Sequence, residues 1–282
     1  MEYTCLSVME KEKFVKKKIL LIGSTYKSLS NFRGYLINDL ILNNLKVITS
    51  SGDTNINYIK INKKRIEHKY FFLNRHSLNI FKEIFTFFNL INLINKSQPD
   101  IIISYTIKPN LYIGLILKFF KYKKINFFPI VTGLGHLFYS KKKLIIFIRH
   151  FVKKLFIYSF SKSNYIFFQN KDNQNYFVVN KLCNLKKCIL IPGSGIDLKN
   201  FLPQELPKFP LVFLMSSRLL NEKGVIEYFK CANIIKKKYN HIRFIFQYSL
   251  DNYSKDSIEL NILDKLNSNK NIEVYKNVED IR

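Results

Sequence analysis

Apolar and polar positions along this chain follow two periods, and each change of period marks an element. The run KKILLIGST (17–25) stays apolar until Gly23, Ser24 and Thr25, as a parallel strand buried on both faces and emptying into a loop does. In NFRGYLINDLILNN (31–44), Leu36, Ile37, Leu40 and Ile41 recur at helical spacing, and KVITSS (46–51) follows as a second strand. The same reading predicts helices at 77–98 and 109–121 and strands at 100–106 and 126–133. A basic helix at 141–160, a strand at 164–170, a short helix near 172–182 and a strand at 187–197 come next. Alternation of this kind argues for an α/β, Rossmann-like domain over 18–197, preceded by an N-terminal extension at 1–17.

The pattern lapses in LKNFLPQELPKFP (198–210), which holds three of the seven prolines and has no period; we read it as a linker. A strand (211–217), a loop RLLNEKG (218–224), a helix (225–239) and a strand (243–249) then open a second α/β unit. A helix near 256–267 and a weak strand NIEVYKN (271–277) follow. Residues 211–282 therefore predict a second Rossmann-like domain with a parallel sheet of two or three strands, an incomplete one.

Charge changes this picture less than its size suggests. Lys and Arg number 46 against 20 Asp and Glu, a net charge of +26. Nearly all of it is Lys, in a chain rich in Ile, Asn and Phe and poor in Gly and Ala, as an AT-rich genome writes any protein. No RNA- or DNA-reading motif accompanies the charge, so no nucleic-acid partner is expected. Arg occurs at only seven positions and Gly at nine, and each carries correspondingly more information. Cys5, Cys183, Cys188 and Cys231 form no zinc-type pairs, and they read as free thiols in a reducing compartment, with no metal site. The N-terminus lacks the apolar core of a signal peptide. No apolar run reaches the ~18–20 residues of a membrane span. In the 141–160 segment Leu144, Phe147, Phe151, Leu155 and Tyr158 share a helical stripe with basic residues between them. Two readings stand for it: a helix lying on anionic lipid, or a core-packed helix with a lysine-rich outer face.

The scarce glycines cluster where α/β sheets bind ligands, at the carboxyl ends of strands. Gly133 and Gly135 form TGLG after one strand, Gly193 and Gly195 form PGSG after another, and Gly224 opens a helix. Ordinary tight turns explain any one of them; the clustering favours ligand loops. SSRLLNEKG (216–224) sets Arg218 and Lys223 between a strand and a helix N-terminus, where unpaired N–H groups suit phosphate. No GxxxxGK[ST] and no GxGxxG after the first strand occur, which excludes a Walker loop and argues against a nicotinamide dehydrogenase.

These stretches, taken in order, resemble the retaining GT-B-fold glycosyltransferases of family four, also called group one. The likeness rests on KILLIGST with SLSNFRGYLINDLILNNLKVI, YTIKPNLYIGLILKFFK, PIVTGLGHLF, FFQNKDNQNYF, IPGSGIDLKNF and SSRLLNEKGVIEYFKCA, and spans almost the whole chain. It implies an α/β GT-B architecture, with 18–197 as acceptor-side domain and 211–282 as part of the donor-side domain. It implies a sugar moved from a nucleotide-sugar donor, UDP-linked, to a glycan or lipid-linked acceptor, with no cofactor. Arg218, Lys223 and Gly224 would bind the donor diphosphate. Ser24, Thr25, Thr132, Gly133, Gly135, Gly193 and Gly195 would form cleft loops. Asn31, Arg33 and His136 would lie toward the acceptor, with a helix cap, a surface Arg and a loop His as the plain alternatives. No catalytic residue is identified. The family's acidic Glu-x7-Glu pair does not follow Gly224, so the resemblance implies a C-terminally truncated relative. Lipid-linked acceptors imply a cytoplasmic protein, peripheral on the inner face of the membrane at an anionic surface. The alternative is an inactive homologue or a glycan- or lipid-binding partner subunit.

Overall fold

Ile19–Ile22 fill the first strand, β1 (Lys18–Ile22), and all four side chains are buried, because helices cover both sides of the sheet they enter. Leu20 and Ile22 pack with Ile48, Leu90, Ile102 and Ile116 on one face, while Leu21 packs with Leu29, Ile37 and Val47 on the other. The computed structural model describes residues 17–53, 56–61, 64–74, 79–120, 122, 125–135, 138, 143–198, 201–203, 205, 209–249, 269–276 and 278. Two compact units divide between Gly195 and Ile196.

In the first unit β1 is followed by α1 (Tyr26–Leu42), β2 (Lys46–Ser51), β3 (Tyr58–Ile61), β4 (Lys64–Tyr70), α2 (Ile80–Ser97) and β5 (Ile101–Tyr105). Then come α3 (Ile107–Phe119), β6 (Asn126–Val131), α4 (Lys143–Ser161), β7 (Ile166–Phe168), α5 (Lys171–Val179) and β8 (Cys188–Leu190). The sheet order is β3-β4-β2-β1-β5-β6-β7-β8, parallel throughout except that β3 runs antiparallel to β4. The chain builds outward from β1 to β4 and returns to add β5 on the other side. The switch point lies between β1 and β5, where open α/β sheets form their crevice.

Three features depart from the sequence reading. The sequence pattern predicts no β3–β4 hairpin; its Ile59 and Ile66 face each other from the buried side, with Lys and Glu outside. Helix α1 starts at Tyr26 rather than 31, because Thr25 caps it: Thr25 Oγ1 accepts from Ser28 N at 3.2 Å. Strands β7 and β8 have three residues each, shorter than expected. The helix expected near 256–267 lies outside the described residues.

Helices α3 and α4 cross closely because Gly114 has no side chain. A Cβ there would stand 2.0 Å from Ser159 Oγ and 2.6 Å from its carbonyl oxygen. Ser159 Oγ donates to Asn110 O at 3.0 Å, and the buried Asn110 accepts from Ser104 Oγ at 2.7 Å and donates to Ile130 O at 2.9 Å, tying both helices to β5 and β6. Gly114→Ala gains about 1 kcal/mol of helix propensity, but overpacking costs about 1–3 kcal/mol. We expect a net fall in the urea midpoint that Ser159→Ala does not rescue, since the backbone oxygen remains. An unchanged midpoint would show that the helices separate freely.

The second unit holds β9 (Val212–Arg218), α6 (Val225–Lys238), β10 (Arg243–Ser249) and β11 (Glu273–Lys276). Its sheet is parallel, in the order β11-β10-β9. Val225, Phe229 and Ala232 of α6 pack on Phe244 and Phe246. Arg243 donates two hydrogen bonds to Glu273, both 2.8 Å, across the starts of β10 and β11.

Candidate functional site

In the first unit the carboxyl ends of β1, β5, β7 and β8 meet around one arginine. Arg33 comes from the second turn of α1 and is only 4% exposed, not the surface residue that its plain alternative supposed. Its guanidinium lies over the Tyr105 ring at 4.8 Å and donates from one nitrogen to Phe32 O (2.8 Å) and Ser194 Oγ (2.7 Å). Gln169, just past β7, donates to the same Ser194 hydroxyl at 3.0 Å. Burial lowers the Arg33 pKa from its ordinary value, and the Tyr105 hydroxyl opposes that shift. A guanidinium keeps its charge through such a shift. The arrangement therefore fixes a positive charge beneath the PGSG loop.

Gly23 makes room for this stack. A Cβ at Gly23 would fall 2.1 Å from the Tyr105 hydroxyl oxygen. Ser24 is buried, and its hydroxyl pairs with Thr106 Oγ1 at 2.5 Å across the β1–β5 switch point. Thr106 holds φ 72°, a conformation that a β-branched residue rarely adopts. Gly193 (φ 77°) and Gly195 (φ 72°) both occupy the left-handed region, so the two scarce glycines of PGSG meet a backbone requirement on either side of Ser194. Gly135 (φ 71°) does the same after β6, where buried Leu134 and Phe138 anchor the loop. Thr132 and Gly133 precede it in the same loop, and a Cβ at Gly133 would meet nothing within 4 Å. Asn31 is exposed on α1 and caps nothing at its start. His136 lies outside the described residues.

The N-terminus of α1 already holds its own acceptors. Thr25 takes Ser28 N, and the Asp53 carboxylate accepts from Tyr26 N at 2.8 Å. Phosphate would have to displace that carboxylate. Sequence reasoning missed Tyr105, Thr106, Gln169 and Ser194; for the first three the available signal was their place at the ends of apolar strands. Lys108 also follows β5. Its Nζ donates to Glu83 Oε1 (2.6 Å) and Asn74 O (2.7 Å), and Tyr112 donates to the other Glu83 oxygen, strapping α2 to α3. Burial lowers the Lys108 pKa and raises that of Tyr112.

In the second unit β9 ends at Arg218. Buried Leu219 and Leu220 then turn the chain through a 3₁₀ turn, Asn221–Lys223, into Gly224 and α6. Gly224 holds φ 74° and gives α6 no side-chain cap. Val225 is fully buried and pins the helix start, while Arg218 and Lys223 stand exposed on the loop. The loop thus presents two cations next to uncapped helical N–H groups, with Glu227 as the acid of the first turn. Among the described residues no group of three or more His, Cys, Asp or Glu could hold a metal ion.

Comparison with known proteins bears on this geometry. No family model matches the chain. Over 184 residues, 60% of the chain, it is 29% identical to the N,N'-diacetylbacillosaminyl-diphospho-undecaprenol alpha-1,3-N-acetylgalactosaminyltransferase of Campylobacter jejuni. The match covers 48% of that relative, about half its length. Among solved structures, sucrose-phosphate synthase from Thermosynechococcus elongatus superposes with a TM-score of 0.65 at 11% identity, over 93% of this chain and 71% of that one. The fold is of the GT-B type. UDP-GlcNAc 2-epimerase from Neisseria meningitidis, solved with UDP-GlcNAc, matches with a TM-score of 0.54 at 16% identity, over 93% of this chain and 73% of that one. The GT-B architecture and the sequence likeness to a glycosyltransferase agree with the expectation drawn from the motifs.

Proposed function

We propose that this chain is a retaining glycosyltransferase of family four, moving a sugar from a UDP-sugar to an acceptor carried on a lipid diphosphate. The observation that carries the proposal is the loop 218–224, where exposed Arg218 and Lys223 flank the uncapped start of α6 at the carboxyl end of β9. A departing UDP develops negative charge on its diphosphate, and fixed cations with helical N–H groups stabilise that charge as it forms. The relative's undecaprenol-diphosphate saccharide supplies the acceptor class. Calorimetric titration of the chain with UDP tests the reading. Saturable one-to-one binding supports it; no binding at millimolar UDP removes it.

We infer that the protein works on the inner face of the cytoplasmic membrane, the location that a lipid-linked acceptor calls for. No helix among the described residues is long and apolar enough to cross a membrane. Helix α4 instead exposes Leu144, Phe147 (73%) and Phe151 (61%), with Lys143 and Lys154 beside them. Its Phe156 and Phe160 are buried, so the helix is core-packed on one side and apolar with cations on the other. Replacing Phe147 and Phe151 together with serine should weaken binding to phosphatidylglycerol vesicles at least about tenfold, since each ring inserts substantial apolar area. Equal sedimentation of variant and parent would exclude α4 as the anchor.

A further inference from the structure

Two thiols lie in contact just before the PGSG strand. Cys183 follows the turn that ends α5, and Cys188 opens β8. Their sulfurs are 3.4 Å apart, and Cys188 Sγ donates to Asn184 O at 3.3 Å, which leaves Cys183 as the donor between the two sulfurs. A short 3₁₀ turn, Leu185–Lys187, holds them there. Asn184 Oδ1 accepts from Lys186 N at 2.9 Å, and Asn184 O accepts from Lys187 N at 3.0 Å. Both cysteines are half-buried against the aromatic cluster of Phe156, Phe160 and Phe177. The backbone entropy of bringing the thiols together is therefore already spent in the fold. Closing them to a disulfide, with sulfurs ~2.05 Å apart, needs a shift of about 1.4 Å. Among the described residues no third His, Cys, Asp or Glu groups with them into a metal-binding set.

We propose that Cys183 and Cys188 are a reversible dithiol–disulfide site that reacts with low-molecular-weight disulfides such as oxidised glutathione. The Cys188 thiolate attacks one glutathione sulfur, forming a mixed disulfide and expelling one glutathione thiolate. Cys183 then attacks Cys188 Sγ, forming the internal disulfide and expelling the second. Two protein thiols are oxidised, one glutathione disulfide is reduced, and the two protein protons pass to the departing thiolates. The order follows from the contact. A Cys183 S–H donating to the Cys188 sulfur lowers the pKa of Cys188 and raises that of Cys183, so Cys188 ionises first. The site stands independently of the transferase reading.

Trypsin cuts after Lys186 and Lys187, between the two cysteines, so an internal disulfide leaves two peptides joined, 182–186 and 188–199. The reduced full chain is placed in glutathione buffers of rising oxidised fraction, quenched in acid, alkylated and digested. We expect the joined pair to replace both alkylated peptides and to revert with dithiothreitol, while exposed Cys231 stays alkylated or carries glutathione alone. Cys183→Ser should trap glutathione on Cys188; Cys188→Ser should leave Cys183 alkylatable and free of adduct. Separate, fully alkylated peptides at every ratio would overturn the site. No more glutathione on Cys188 of Cys183→Ser than on Cys231 would overturn the order of attack.

Discussion

Replacing Arg218 and Lys223 together with alanine should weaken UDP binding at least about 100-fold, or about 3 kcal/mol. Each charge-assisted hydrogen bond to a phosphate contributes about 1.5–3 kcal/mol. Exposure discounts each, because solvent screens both cations. Arg218→Ala should cost more than Lys223→Ala, since a guanidinium can hold two phosphate oxygens where an ammonium supplies a point charge. The fold should not suffer. The loop is held by Leu219, Leu220 and Val225, all buried, so the unfolding midpoint should stay where it is. The remaining affinity should lose most of its dependence on salt. Calorimetry on the two single variants and the double variant decides it. Unchanged affinity with an unchanged midpoint would take the diphosphate off this loop and leave the transferase reading without its donor site.

How far the sequence could be read depended on whether the deciding partner was near in the chain. The apolar runs of β1 and β5 announce buried parallel strands by themselves, and the GT-B order follows from repeating them. The glycines of PGSG were legible because their left-handed backbone is a property of those residues alone. Gly133 shows the limit of that argument: it shares the TGLG loop with Gly135, yet nothing among the described residues requires glycine there. Arg33 was not legible. Its burial depends on Tyr105 and on Ser194, the latter 161 residues away, and a lone Arg on a helix reads as solvated until those partners are placed. The β3–β4 hairpin was lost for another reason. Its strands alternate apolar residues with Lys and Glu, and in a chain this rich in Lys a short alternation does not stand out. The start of α1 was hidden because Thr25 ends an apolar run and so read as the mouth of a strand, although it is the cap of a helix.

His68 should make the protein lose about 3 kcal/mol of stability between pH 6.5 and pH 4. It is buried on β4 beside β2, 2% exposed, with Thr49 Oγ1 3.0 Å from Nδ1 and Ser51 Oγ 3.1 Å from Nε2. Thr49 donates its proton to Glu67 O at 3.1 Å, so its oxygen accepts from Nδ1–H. Nε2 is then the bare nitrogen and accepts from Ser51. The neutral ring is thus satisfied at both ends, and a second proton would have to enter at Nε2. Burial lowers the pKa from 6.5 to about 4, and the Asp53 carboxylate opposes the shift. A depressed folded-state value means that the unfolded chain binds the proton first. The stability is whole above pH 6.5 and drains away as pH falls toward 4, where the folded state takes up the proton as well. Carboxylates titrate in the lower half of this window too, so the readout is a difference between two proteins. His68→Gln keeps polar atoms near Thr49 and Ser51, and is expected to be less stable at pH 7 but flatter in acid. Urea unfolding of both proteins at half-unit steps from pH 8 to pH 4 should show the curves converging by about 3 kcal/mol. Parallel curves would mean that the imidazole is protonated as readily in the fold as out of it, and that the Thr49–His68–Ser51 chain does not hold it neutral.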